Sequence, residues 1–242
     1  MNTAFYTASS GVIYLQRSMD VTANNIANAD TPGFKASVSS FSDLLYSNIH
    51  RKQDELTNNL KVGHGTRLSG ITLQYNQGAL LPTDRELDFS IVGDGFFAVE
   101  NENGERFYTR AGNFYVKLED DVAYLTTASG DYVLSPDGDR IELNADGGPV
   151  NLENIATRIG VYTFSNPYAL LQEGSNYYTA TEAAGEAMPS ESYSLKQGFL
   201  ESSNAELSKE MVNIITTQRA FQFNARVVQA ADELQATVNN LR

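Results

Sequence analysis

Cysteine and tryptophan are absent from the 242 residues, histidine occurs twice and proline six times. Without cysteine there is no disulfide, no thiolate zinc or iron–sulfur site and no cysteine nucleophile. His50 and His64 leave little for a metal centre or an acid–base pair. No run reaches the ~20 apolar residues of a membrane-spanning helix. Residues 1–20 lack the basic and continuous apolar regions of a cleaved secretory signal. A cytoplasmic location is the plain expectation, and export without a cleaved signal would leave the same pattern. Positive charge is scarce as well. The 17 Lys and Arg face 30 Asp and Glu, for a net charge of −13, which argues against a nucleic-acid partner. The length allows one or two domains with a sizeable core.

The charge is unevenly placed. Residues 81–200 carry seven basic and twenty acidic groups, which is the whole of the net −13. Residues 1–35 sum to zero, residues 36–80 to +1 and residues 201–242 to −1. Two near-neutral ends around an acidic middle indicate a composite chain.

Both ends read as helices. Phe5, Ala8, Val12, Leu15, Met19, Thr22 and Ile26 follow alternating spacings of three and four, a heptad seam. The helix should stop near Asn28, because Thr31 precedes Pro32 and is pushed out of helical geometry. Pro32-Gly33 suits a type II turn. At the other end, Ser203 and Glu206 have the spacing of a capping box. Leu207, Met211, Ile214, Phe221, Ala225 and Val228 then form a seam with Gln218 as its polar member. Ala231, Leu234, Val238 and Leu241 continue it on a shifted line. Forty helical residues would span roughly 60 Å and need cover along their length. Between Met211 and Ala231 the only charges are Arg219 and Arg226, seven apart on one face. They mark either a solvated edge or a pairing with carboxylates such as Asp20 or Asp30 on a packed neighbour.

From Leu81 to Leu195 short apolar runs alternate with Gly, Asp and Asn turns, the pattern of strands. Leu87, Phe89 and Ile91 alternate with Asp88 and Ser90, and Asn103-Gly104 marks a hairpin. Residues 36–80 are mixed and lead into this module. The fold class is therefore α+β, with long N- and C-terminal helices pairing as a coiled coil around an all-β middle. The expected segments are 1–30 for the first helix, 31–80 for the connection, 81–195 for the β-module and 196–242 for the return and second helix.

Chemical motifs are few. Gly93-Asp94-Gly95-Phe96-Phe97-Ala98 matches a dinucleotide fingerprint in spacing, but a strand rather than a helix should follow it. Asp137, Asp139, Asn144 and Asp146 miss the spacing of a calcium loop and fit successive turns. Twenty acids leave room for an acid–base pair of the kind that cleaves glycosides, so a cell-wall hydrolase on a helical stalk is one alternative. A coiled-coil adhesin or a tail-like fibre is another. No catalytic residue, cofactor or metal ligand is singled out.

Two runs at the ends carry a resemblance. Residues 23–35, Ala-Asn-Asn-Ile-Ala-Asn-Ala-Asp-Thr-Pro-Gly-Phe-Lys, resemble the N-terminal motif of the bacterial flagellar axial proteins of the rod and hook. Residues 198–204, followed by Met211 to Ile215 and Gln218 to Phe221, resemble that family's C-terminal motif, and residues 92–97 and 108–114 its first β-domain. One β-domain of this size points to the larger rod members. Asp43 to Tyr46 and Ser208 to Phe221 are most similar to members of the distal rod, next to the larger proximal member. The resemblance implies a structural subunit that assembles with copies of itself and with other rod and hook proteins. It further implies passage through the flagellar export apparatus without a cleaved signal and a location in the basal body. It assigns helix packing and assembly to Val12, Leu15, Met19, Asn24, Asn25, Ile26, Asn28, Pro32, Gly33 and Phe34. At the C-terminal end it assigns them to Leu207, Met211, Ile214, Arg219, Phe221, Arg226, Val228 and Leu234.

Overall fold

In the computed structural model of the chain the described residues are 3–48, 61–144, 154–174, 176–190 and 193–241. His50 and the 146–148 turn lie outside them. A helix, α1 (Thr3–Ala27), is followed by strands β1 (Ser37–Asp43), β2 (Tyr46–Asn48), β3 (Lys61–Gly63) and β4 (Thr66–Leu73). Then come β5 (Leu80–Pro82), β6 (Phe89–Gly93), β7 (Phe96–Glu100), β8 (Arg106–Thr109), β9 (Tyr115–Glu119), β10 (Val122–Thr126) and β11 (Tyr132–Val133). A single-turn helix, α2 (Ile155–Arg158), precedes β12 (Val161–Thr163), β13 (Leu171–Glu173), β14 (Tyr177–Thr179) and β15 (Met188–Pro189). The chain closes with β16 (Tyr193–Gln197), β17 (Phe199–Glu201) and the long helix α3 (Leu207–Asn240). Two compact units result. One is built from residues 1–27, 37–74 and 206–242, the other from 28–36 and 75–205. Residues 37–74, expected to connect, thus group with the helices.

In the helix unit α1 and α3 run antiparallel. Asn25 Nδ2 donates to Glu210 Oε1 at 3.4 Å, and a Cβ on Gly11 would lie 3.0 Å from Asn224 Nδ2. The buried residues of α1 are Ala8, Gly11, Ser18, Thr22 and Asn25. Ala8 and Thr22 lie on the expected seam, and Gly11, Ser18 and Asn25 correct the rest of it. Phe5 is exposed, while Val12, Met19 and Ile26 are half-buried. Small side chains let the helix backbones approach closely, so the larger apolar residues are displaced to the flanks. On α3 the least exposed line runs through Glu210, Ile214, Thr217, Phe221, Asn224, Val228 and Ala231. It shares Ile214, Phe221 and Val228 with the expected seam but leaves Leu207 and Met211 exposed. At 34 residues α3 is about 51 Å long, shorter than the expected span.

The capping box is not formed. α3 starts after Glu206, which makes no side-chain cap, and Ser203 Oγ instead accepts the Ala205 N–H at 3.1 Å. Residues 202–204 are held outside the helix by backbone bonds from Ser202 N to Ala79 O and from Asn204 N to Phe34 O, which removes Ser203 from the helix start.

In the other unit, nine described strands form one antiparallel sheet in the order β13-β14-β8-β7-β11-β10-β9, with β12 also on β7 and β15 on β12. β6 pairs with β16, and β5 with β17. The β9–β10 hairpin turns at Asp120 and Asp121, both with positive φ, as a tight two-residue hairpin loop requires. The expected hairpin at Asn103-Gly104 joins β7 to β8 through a longer loop, in which Asn101 Oδ1 accepts the N–H groups of Asn103 and Glu105 at 2.9 Å. Gly93 to Gly95 is a turn between β6 and β7, as expected. The half-exposed alternation expected around Phe89 is absent, since Asp88 and Ser90 are also buried. Asn144 braces a strand by donating to Asp121 O and accepting the Ala123 N–H, which uses up its side chain.

Phe97 and Phe114 sit at the centre of this core with no exposed surface, their rings edge to face at 5.1 Å. Phe97→Ala should destabilise the β-unit by about 3–5 kcal/mol. Urea unfolding followed by tyrosine fluorescence checks this, and a loss under ~1 kcal/mol would contradict the packing described.

Candidate functional site

The residues assigned to assembly fall into two places, one in each unit. In the helix unit, Asn25 is 1% exposed and behaves as a strand neighbour of β1. Its Nδ2 donates to Ser37 O at 2.8 Å and its Oδ1 accepts the Ser37 N–H at 2.9 Å. A serine pair, Ser18 and Ser39, adds a hydroxyl contact at 2.9 Å. The polar side of α1 is therefore spent on β1. Large apolar residues point outward, among them Ile13 on α1 and Met211, Val212, Ile215 and Phe223 on α3.

Leu15, Val12, Met19 and Ile26 are half-buried, and Asn24 is exposed. Leu234 and Val238 are more than 60% exposed on the last turns of α3. Arg219 and Arg226 are exposed and form no ion pair among the described residues. The expected pairing with Asp20 or Asp30 is thus not made within one chain. Asp20 instead accepts the Gln16 amide at 3.0 Å.

The second place is the stretch from Asn28 to Ala36, in the β-unit. Thr31 N donates to Asn28 O, and Phe34 N donates to Thr31 O, so a turn closes around Pro32-Gly33. Gly33 has φ 68°, the left-handed value that the third residue of a type II turn needs. Its N–H donates to Glu201 O at 2.7 Å, and a Cβ here would lie 2.5 Å from the Arg110 carbonyl carbon. Pro32 O accepts the Asn176 amide at 3.1 Å, and Phe34 is buried.

Beside this turn lie three buried charges that the sequence reading did not single out. Lys35 Nζ meets Glu201 Oε1 at 2.5 Å and Asn76 O at 2.9 Å. Arg110 meets Glu201 Oε2 at 3.3 Å and donates to Gly93 O at 2.9 Å. Glu201 Oε1 also accepts the Gly78 N–H at 2.9 Å. All three side chains are at most 4% exposed. Burial lowers the Lys35 ammonium below its usual 10.5, outweighing the opposite pull of Glu201. Each charge occurs inside one of the motif runs, at residues 23–35, 108–114 and 198–204. That placement is the signal by which the sequence could have revealed them.

This arrangement holds distant chain segments together. Among the described residues no three His, Cys, Asp or Glu converge as metal ligands. Comparison with known proteins gives the class. Family models described as "Flagella basal body rod protein", "Flagellar hook protein FlgE/F/G D1 domain" and "Flagellar basal body rod FlgEFG protein C-terminal" match residues 5–35, 90–163 and 196–241. The chain is 33% identical to the flagellar basal-body rod protein FlgG of Bacillus subtilis, over the whole of both chains. It is 32% identical to that of Borreliella burgdorferi, covering all of this chain and 99% of the other. It is 28% identical to the flagellar hook-basal body complex protein FlhP of Bacillus subtilis, over the whole of both. The chain belongs to the flagellar basal-body rod protein family.

Gly33→Val places a β-branched side chain at positive φ against the Arg110 backbone, so it should cost more than ~2 kcal/mol. Chemical denaturation of the purified chain measures this, and wild-type stability would remove the turn assignment. Because the folded chain holds the Lys35 proton less tightly than the unfolded chain, this group's contribution to stability rises from its lowered pKa up to 10.5. The stability difference between wild type and Lys35→Met should therefore widen in favour of wild type as pH climbs through that window. A difference that stays flat in stepped-pH urea titrations would refute it.

Proposed function

We propose that the chain is a structural subunit of the distal rod, assembling with copies of itself into a helical tube that carries torque from motor to hook. The single observation behind this is the helix unit's surface. α1 and α3 meet through small and polar residues and leave Ile13, Met211, Val212, Ile215, Phe223, Leu234 and Val238 outward. Apolar surface of that extent is the mark of an interaction face. A repeated copy can cover it by contacts that do not close into a ring. The full-length likeness to rod proteins supports the same reading.

In the assembled state α1 and α3 act as a coiled-coil element, with Val12, Leu15, Met19 and Ile26 beside Met211, Ile214, Phe221, Val228 and Leu234. Asn24, Asn28 and Phe34 hold the chain leaving α1. The role is structural rather than catalytic. Partners are further copies, neighbouring rod and hook proteins and the export apparatus, and the subunit reaches the basal body without cleavage of a signal. The likeness to the hook-basal body complex protein of Bacillus subtilis favours, as a second reading, another axial position in the same structure.

Deleting residues 3–27 removes α1 and spares the β-unit, whose own N-terminal part begins at Asn28. Cells with this deletion as their sole copy should be non-motile and lack complete rods in electron micrographs, while the purified variant keeps a protease-resistant β-unit. Complete rods and swimming would reject the proposed function.

A further inference from the structure

Glu210, in the first turn of α3, is 8% exposed, yet no cation meets it among the described residues. Among the described residues its carboxylate accepts two long amide bonds, from Asn25 Nδ2 at 3.4 Å and Asn213 Nδ2 at 3.3 Å. It faces a cavity of about 270 Å³, lined by Ser18, Thr22, Ser39, Asn213 and Thr217 among others, with no basic residue in the lining. A carboxylate held among neutral donors is under-compensated, and a cation with several N–H donors is the group that would satisfy it.

The same helix carries Arg219 and Arg226, both exposed and without an ion pair among the described residues. At 3.6 residues per turn, Arg219 lies about 180° around α3 from Glu210 and Arg226 about 160°. Neither is three or four residues away, so neither reaches Glu210 on its own helix. Every copy of the chain thus presents a buried carboxylate on one side of α3 and two exposed guanidinium groups on the other. Donor and acceptor on opposite sides of one element match between copies and generate a contact that repeats without closing.

We infer that the Glu210 cavity receives an α3 arginine, Arg219 or Arg226, from a second copy of the chain. The inference rests on the self-assembly reading above and names the contact that carries it. For parallel neighbouring α3 helices, Arg219 sets an axial stagger of about 14 Å and Arg226 one of about 24 Å, from a rise of 1.5 Å per residue. Guanidinium suits the site better than ammonium, because its planar fork can bond the carboxylate and the adjoining hydroxyls together.

The absence of cysteine allows a direct test. Glu210→Cys chains are mixed with Arg219→Cys or Arg226→Cys chains, assembled, pelleted and treated with a short bismaleimide. A covalent dimer should form with one arginine position in the pellet and be absent from the unassembled supernatant. In parallel, Glu210→Gln, which keeps the shape of the side chain, should raise the concentration needed for assembly by ~10-fold, the effect of one lost charge pair. Its fold is checked by circular dichroism. Pellets without either dimer, or unchanged assembly of a folded Glu210→Gln, overturn the inference and leave self-assembly standing. Failure of the wild-type chain to assemble at all is seen before any cross-linker is added, and it rejects the self-assembly reading and this contact together.

Discussion

A buried carboxylate must be neutralised where it sits, and Glu201 achieves this by gathering distant parts of the chain. Its oxygens take Lys35 from the stretch after α1, Gly78 from the approach to β5 and Arg110 from the loop after β8, while its carbonyl takes the Gly33 N–H. The chain enters the β-unit at Asn28 and again at Tyr75, leaving it after Ala36 and after Ala205, and Lys35, Gly78 and Glu201 join these passages at one carboxylate. Removing one partner of such a cluster strands the remaining charges in a medium that cannot solvate them, at about 3–5 kcal/mol. The turn at Pro32-Gly33 and the non-helical run at 202–204 are consequences. Each is shaped so that its backbone can approach the cluster, which is why Gly33 sits at positive φ and Ser203 does not cap α3.

The helix unit obeys a different constraint. α1 approaches α3 closely at Gly11, where a Cβ would lie 3.0 Å from Asn224, and Asn25 satisfies the polar groups of β1. The apolar side chains are consequently left over rather than buried. α1 carries one basic and one acidic group, and α3 three of each. Near-neutral helices can lie beside their own copies without accumulating like charge. The acidic residues of the β-unit are placed largely in its turns, where Asp and Asn supply the geometry that Asp120 and Asp121 show.

Helices and strands were legible because their signals are local. Proline and glycine bound α1, and period-two runs with Gly and Asp turns mark the sheet. The seam of α1 was legible at Ala8 and Thr22 but not at Phe5, Val12 and Met19, whose size suggested full burial, whereas the smaller Gly11 and Ser18 are the buried positions. The capping box failed for a similar reason: the spacing of Ser203 and Glu206 is local, but the bonds that hold residues 202–204 outside the helix come from Ala79 and Phe34. Residues 36–80 looked mixed because β1 and β4 pair across an irregular register and are only partly buried. The charge cluster joins residues as far as 166 positions apart, so no window of sequence contains it.

The Lys35–Glu201 contact also bears on how the two long helices find each other. Asn25 and Glu210 are 185 positions apart, so their meeting closes a very long loop. Once the β-unit has folded and pinned Lys35 to Glu201, the path between them runs through only the ten residues after Asn25 and the nine before Glu210. By the logarithmic dependence of closure entropy on loop length, that shortening lowers the cost of helix pairing by ~2 kcal/mol. The β-unit is therefore a tether that raises the effective concentration of one helix for the other. Pairing of α1 with α3 is expected to follow its folding, because until then the encounter must close a loop of 185 residues.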